Sequence, residues 1–296
     1  MKNLFEQILK KYRMKSGITQ EFMVDLLSNN SSNLKKLDNV TFSRWERGIT
    51  IPPFRKQIEI YRLLGVDPID EIIELDIDLP QIEGEDYVIT DYYTDSVNEF
   101  YSYCLNRTNI DEAINFIGEI ELIKDGDVYI SRLFDSFKLD KEEHVIQMMI
   151  EKFNAEIIIC KYKKRIIAHS ITLDIEPDFI KDLVSNSIDL SKIESYSGSN
   201  PFVISFHAST LTTLKFIIGN VLNKFLDIPN LESKLYMASF EKNIHKLFVK
   251  LKSKVKYNEI YNGKNHKISE LTKFDINSSR EALYFLVGFR RKEYEK

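Results

Sequence analysis

Over its first quarter the chain repeats apolar residues at intervals of three and four, the spacing of a helix with one buried stripe. Residues 3–15, NLFEQILKKYRMK, place Leu4, Phe5, Ile8, Leu9 and Tyr12 on such a stripe. Gly17 ends this predicted helix, and Thr19 stands as the N-cap of the next. In that second helix, TQEFMVDLL, the expected buried face is Phe22, Met23, Leu26 and Leu27. Asn29 to Asn33 reads as a polar loop. A third helix follows in residues 38–53, DNVTFSRWERGITIPP. Asp38 takes the N-cap position, where its carboxylate accepts from free backbone N–H groups. Val40 and Phe42 flank a polar face of Asn39, Thr41, Ser43 and Arg44, and Trp45 is expected to turn back onto a core. Gly48 sits where a left-handed residue is easiest, and Pro52 and Pro53 forbid continuation. Ile58, Ile60, Tyr61, Leu63 and Leu64 mark a fourth helix.

Beyond Asp76 the pattern changes. IDLPQIEGEDYVITDYYTD is acidic, contains Pro80 and Gly84, and has no helical period, as a linker entering a second domain would. The remainder mixes periods. Helices are expected over 96–105, 111–117, 140–154, 179–184, 211–225 and 245–251. Strands are expected over 126–134, 156–160, 165–173, 202–208, 235–240 and 255–261, with 156–173 a hairpin closed by the basic turn YKKR. The closing stretch, SREALYFLVGFRRKEYEK, fits a helix or a strand.

Charge sharpens this division. The 296 residues carry a net charge of −4, which taken alone argues against a nucleic-acid partner. Of the 41 Lys and Arg and 45 Asp and Glu, residues 1–65 hold 12 basic against 6 acidic, leaving 29 against 39 in the rest. A basic end on an acidic body points only the first segment toward phosphate. Cys104 and Cys160 are far apart and form no disulfide framework. The N-terminal stretch has no long apolar run, so neither a signal peptide nor a membrane span is expected, and a cytoplasmic location follows by elimination.

The series Gly17, Thr19, Gln20, Glu21, Leu26, Leu27, then Ser43, Arg44, Trp45, Glu46, Arg47, Gly48 and Pro52, followed by Leu64-Gly65-Val66-Asp67, resembles the Cro/C1-type (XRE) helix-turn-helix family. The likeness covers about residues 3–75. It implies an N-terminal all-α helix-turn-helix bundle (1–75), which the change of pattern after Asp76 makes part of a multidomain chain with a linker (76–86) and a C-terminal α+β domain (87–296), expected to serve dimerisation or sensing. It departs from the family where SNNSSNLKKL enlarges the turn before the reading helix. That enlargement adds phosphate contacts, widens the angle between the two helices, or is an inert surface insertion. By the family register, Asn39, Val40, Thr41, Ser43 and Arg44 reach base edges: Asn suits adenine, Arg suits guanine, and Val40 and the Thr41 methyl suit a thymine methyl. Gln20 is expected to point at the DNA backbone, with Lys35 and Lys36 joining the contact surface. Arg47 is expected on phosphate or paired with Glu46. The implied partners are a double-stranded palindromic operator, a second copy of the chain, and a protein antirepressor or small-molecule effector.

Residues 156–261 resemble, in element order, acetyltransferases of the GNAT type. Those proteins grip a pyrophosphate with a glycine-rich loop before a helix, whereas HASTLTTLKF has no glycine. The five histidines show no metal-ligand spacing, so neither metal nor other cofactor is expected. His207 beside Ser209 and Thr210 suggests a nucleophile with its base, but neighbouring positions at a strand end rarely give that geometry. Asp174, Glu176 and Asp178 read as a solvated acidic cluster. No Ser/Lys self-cleavage pair stands out. The expectation is a non-enzymatic transcriptional regulator, a repressor. A low-GC bacterium or its mobile genetic element is the home that composition suggests for it, and the alternatives are an acyltransferase-like enzyme fused to a DNA-binding domain, or the antitoxin of a toxin–antitoxin pair.

Overall fold

The computed structural model describes residues 2–76, 78–79, 82, 99–110, 142–184, 198–239, 242–261 and 264–294. The helix expected over 111–117, the strand over 126–134 and most of the 76–86 stretch lie outside them. The chain divides into two compact units, Met1–Ile82 with Asn277–Lys296, and Glu83–Ile276.

The first unit opens with five helices, α1 (Lys2–Lys15), α2 (Gln20–Asn30), α3 (Asn39–Glu46), α4 (Phe54–Leu63) and α5 (Pro68–Glu74). Leu4, Phe5, Ile8 and Leu9 are buried as their spacing requires. The Phe5 ring lies 6.1 Å from Trp45 and 5.7 Å from Tyr61, so α1 is the floor on which α3 and α4 rest. Three of these helices end in one way. Gly17, Gly48 and Gly65 take φ values of +64°, +66° and +64°. Each donates its N–H to a carbonyl three residues back while the next residue reaches five back: Gly48 to Trp45 (3.0 Å) and Ile49 to Arg44 (2.9 Å), for example. This left-handed cap satisfies carbonyls that the helix leaves open, and glycine adopts it without steric cost.

Two local expectations are corrected. The buried face of α2 is Met23, Val24 and Leu27, while Phe22 is 56% exposed and Leu26 half-buried. With Thr19 capping at the Phe22 N–H (3.1 Å), the stripe begins one residue later than the apolar run suggests. The enlarged turn is ordered structure too. Helix α2 continues to Asn30, and a 3-10 turn, Ser32–Leu34, follows. Leu34 is buried in the core, and the Ser31 hydroxyl and Asn33 amide donate to Glu59 on α4.

The second unit is built on a seven-stranded sheet in the order β1-β2-β3-β4-β5-β7-β6. Its strands are β1 (Tyr101–Leu105), β2 (Glu156–Tyr162), β3 (Arg165–Ile175), β4 (Asn200–Ala208), β5 (Lys234–Ser239), β6 (Lys254–Tyr261) and β7 (Lys264–Thr272). All neighbours are antiparallel except β4 and β5, which run parallel and pair only at Phe202–Tyr236 and Val203–Met237. The helices are α6 (Glu142–Phe153), α7 (Pro177–Val184), α8 (Leu211–Asp227), α9 (Lys242–Lys250) and α10 (Lys273–Asn277). Met149, Ile150 and Phe153 of α6 and Phe179, Ile180 and Leu183 of α7 pack with Ile157, Ile159, Ile171 and Leu173 in one core on one sheet face. Tyr101–Leu105 is a strand where the sequence suggested a helix. Pairing with β2 along Tyr101–Lys161 to Leu105–Ile157 overrides the local pattern, as sheet context commonly does.

The last helix, α11 (Arg280–Tyr294), groups with the first unit, although its sequence adjoins the second. The stretch that fitted a helix or a strand is a helix, and Ala282 to Val287, all buried, cover more than a full turn of it on every side. Ser279 caps it through the Ala282 N–H at 3.1 Å. Arg290 pairs with Asp67 and Asp70 of α5, both at 2.9 Å, and the Arg280 guanidinium sits 5.5 Å from the Phe54 ring centre. Among the described residues no helix is long and apolar enough to cross a membrane.

Candidate nucleic-acid interface

Helix α3 is held by both of its ends. At its start, Asp38 has extended backbone (φ −120°, ψ 167°) and its carboxylate accepts the Thr41 N–H at 2.6 Å. The Thr41 amide and hydroxyl hold the Asp38 carboxyl below the usual carboxylate range. At its end the Gly48 cap stops the helix. Between them the sequence divides cleanly: Phe42 and Trp45 are buried, and Asn39, Val40 and Arg44 are exposed, with Val40 60% exposed. Thr41 and Ser43 are half-buried along the margin. A short helix thus offers two side chains with paired donors or acceptors and one apolar contact, the chemistry that base edges in a major groove present.

Glu46 fixes the back of this helix. It is 8% exposed and accepts from Arg13 Nε at 2.6 Å and from Gln20 Nε2. One carboxylate thereby ties α1, α2 and α3 together. Such a buried carboxylate needs both donors, since either one alone leaves costly unpaired charge. This arrangement alters two sequence expectations. The Gln20 amide is turned to Glu46, so the side chain expected at the DNA backbone acts as a tie between helices. Glu46 is not the partner of Arg47, whose Nε donates to the Ser43 carbonyl at 3.1 Å on an exposed surface. Arg13 and Lys11, part of the basic last turn of α1, are engaged within the unit, Lys11 with Glu71 and Glu74 at 2.7 Å each. No local spacing links residues 13, 20 and 46, so their convergence had no signature in the sequence.

Between the 3-10 turn and Gly48 the basic residues that stand in solvent are Lys35, Lys36, Arg44 and Arg47. Lys35 and Lys36 follow directly on the 3-10 turn, whose attachment to Glu59 holds that corner in place. Neither lysine has a salt bridge among the described residues.

The second unit holds a different constellation at the end of β4. His207 Nε2 and Ser209 Oγ lie 3.0 Å apart, so these near neighbours do meet, contrary to the sequence reasoning. His169 on β3 stacks against His207 with ring centres 5.9 Å apart, and its Nε2 lies 2.9 Å from Ser205 Oγ. Burial and the neighbouring His207 push the His169 imidazole down to about 3, far too low for a general base at neutral pH. Burial lowers His207 as well. At the following helix start, Thr210 Oγ1 accepts the Thr213 N–H at 3.1 Å, and Thr213 Oγ1 accepts the Thr210 N–H at 3.2 Å. This reciprocal box uses amides that would otherwise face an anion. Asp174, Glu176 and Asp178 do not act as one cluster: Asp174 is half-buried and bonded to Asn154, whereas the other two are exposed. Among the described residues no group of three His, Cys, Asp or Glu side chains is placed to hold a metal ion.

Comparison with family models, with curated proteins and with solved structures returns no match.

Proposed function

We propose that the first unit is a Cro/C1-type DNA-binding domain and that the chain is a sequence-specific transcriptional regulator, a repressor. The observation that carries this reading is the division of α3: Phe42 and Trp45 anchor it while Asn39, Val40 and Arg44 face solvent. Asn39, Val40 and Arg44 read bases, Thr41 and Ser43 support them from the groove margin, and Lys35, Lys36 and Arg47 meet phosphate. One such helix covers only a few base pairs. Two copies, with α3 helices about one DNA turn apart, give the selectivity that a regulator needs and require a palindromic site. The second unit pairs the subunits and receives the signal. Selection from a random duplex pool, followed by titration of the selected site against a scrambled one at two salt concentrations, tests this. A strong preference for the selected site is expected, and equal affinity for both overturns the reading.

One observation favours a second reading of the second unit. The order hairpin with a basic turn, strand, long helix, parallel strand, helix and antiparallel strand pair supports the GNAT-like resemblance. The closed Thr210–Thr213 box weighs against a pyrophosphate grip at that helix. Calorimetric titration with acetyl-CoA separates the two: saturable binding turns the second unit toward acyl transfer, and no heat of binding leaves it a pairing and sensing domain.

A further inference from the structure

The second unit contains a cavity of 390 Å³ at the end of the sheet where β4 begins, away from His207 and the start of α8. Two surfaces with matching periods form it. Glu156 opposes Thr172 in the β2–β3 register, and Asp174 follows two residues later on the same face, opposite to that of Ile157, Ile171 and Leu173. Val221, Lys224 and Phe225 of α8 face them, spaced three and four residues apart as one helical stripe requires, with Ile228 just past the helix end. Pro201 stands opposite Asp174 in the β3–β4 register and brings no N–H to the ladder there.

The charges in this cavity are unequally served. Lys224 is paired with Glu156. Arg107 donates from Nε to the Ile150 carbonyl at 3.1 Å and also to the Glu151 carbonyl, so its guanidinium caps the end of α6. Asp174 has only a neutral donor: Asn154 Nδ2, 2.6 Å from Oδ2. Asn154 takes the left-handed region, φ +50°, as the residue that caps the end of α6, with the Ala155 N–H donating to the Met149 carbonyl at 3.0 Å. Among the described residues the other Asp174 oxygen takes no hydrogen bond and the carboxylate has no salt bridge. Burial raises its pKa above the usual carboxylate value. Farther along the same two surfaces, Ser170 Oγ and Asn220 Oδ1 are buried with no hydrogen-bond partner among the described residues. Beside the carboxylate lies an apolar wall of Val221, Phe225 and Ile228.

We propose that this cavity binds a small organic cation, a primary ammonium group on an apolar body, with the ammonium on Asp174 and the body against Phe225, Val221 and Ile228. Lys224 is spent on Glu156, and the Arg107 guanidinium is turned to the α6 carbonyls and reaches Asp174 only through space, so the open Asp174 oxygen is the charged acceptor that an ammonium would complete. The site stands independently of the DNA reading, because ligand binding is measured directly.

The test titrates the full chain with 2-phenylethylammonium and, separately, with 3-phenylpropionate, an anion of similar shape. Saturable binding of the amine alone is expected, with Kd between about 1 µM and 1 mM. Asp174→Asn should weaken it at least about tenfold. Because that change also disturbs the bond to Asn154, a second variant, Ile228→Lys, leaves Asp174 intact and puts the protein's own ammonium at the cavity mouth. It too should exclude the amine, with the thermal unfolding transition retained as a check on folding. No saturable amine binding up to about 10 mM overturns the proposal. Binding of the carboxylate in preference to the amine, or amine affinity unchanged in both folded variants, overturns it equally.

Discussion

At the start of α3, the Asp38 carboxylate accepts one backbone N–H, and the two residues that follow, Asn39 and Val40, stand in solvent. At the start of α8, Thr210 and Thr213 accept from each other's N–H groups, and Thr213 is fully buried. Both starts are well capped by the same physical device, a side-chain oxygen on a free amide. They differ in what the cap leaves over. The one-sided cap of α3 fixes the helix and keeps its first turn open to a partner. The reciprocal cap of α8, followed by Leu214, Phe216 and Ile217 in the core, turns the helix start into internal structure. A helix N-terminus is a binding element only where its cap is incomplete and its first turn is exposed.

The largest break in this contrast removes the floor under α3. Phe5 is fully buried against Trp45 and Tyr61, and Phe5→Ala should cost about 3–5 kcal/mol of stability in the first unit, read as a lower denaturant midpoint with loss of DNA binding. Arg44→Ala leaves the fold alone because the side chain is exposed. It should cost about 1–3 kcal/mol of affinity for the selected site and relax preference at one base position, as measured on a set of single-base variants. Undiminished discrimination in that variant would shift base reading away from α3.

Thr210→Ala opens the closed start and should lower stability by about 0.5–2 kcal/mol, seen in thermal unfolding, without altering DNA affinity. Lys35→Ala should weaken selected and scrambled DNA alike and flatten the salt dependence by about one unit of slope, the mark of one lost phosphate contact. The mildest probe is acid. The folded Asp38 carboxyl is held below its ordinary value by Thr41, so its cap is present above the unfolded pKa and is lost as pH falls through the folded one. The protection of the Thr41 amide against hydrogen exchange, relative to the intrinsic rate at each pH, should fall only in that acidic window, and its absence already at neutral pH would contradict the one-sided cap.

The two regions also differ in what their residues disclose before folding. Caps and glycines are local signals, and Thr19, Asp38, Gly17 and Gly48 each act where the pattern places them. Leu34 was hidden because a single leucine in a polar stretch looks like a loop, while its value lies in reaching a core built by other helices. Phe22 and Val24 were interchanged because the apolar run is continuous there and only the cap fixes its phase. The tie of Arg13 and Gln20 to Glu46, and of Asp174 to Asn154, joins positions with no common period. Strand β1 depended on β2, which lies more than one element away in the sequence. In the second unit most strands and helices were legible from alternation and spacing. Its cavity was not, since it arises where a strand face and a helical stripe happen to meet.

The membership of α11 in the first unit bears on how the molecule is made. Residues Asn277–Lys296 leave the ribosome only after the whole stretch Glu83–Ile276 has been synthesised. At about 5–20 residues per second that interval lasts roughly 10–40 s. During it α5 waits without Arg290 for Asp67 and Asp70, and the apolar surface that α11 will cover has no partner from this helix. The first unit therefore closes only after the second has been made, although it starts first. A nascent chain stalled within the second unit should present a looser first unit than the chain through Lys296, a built-in delay between starting that unit and closing it.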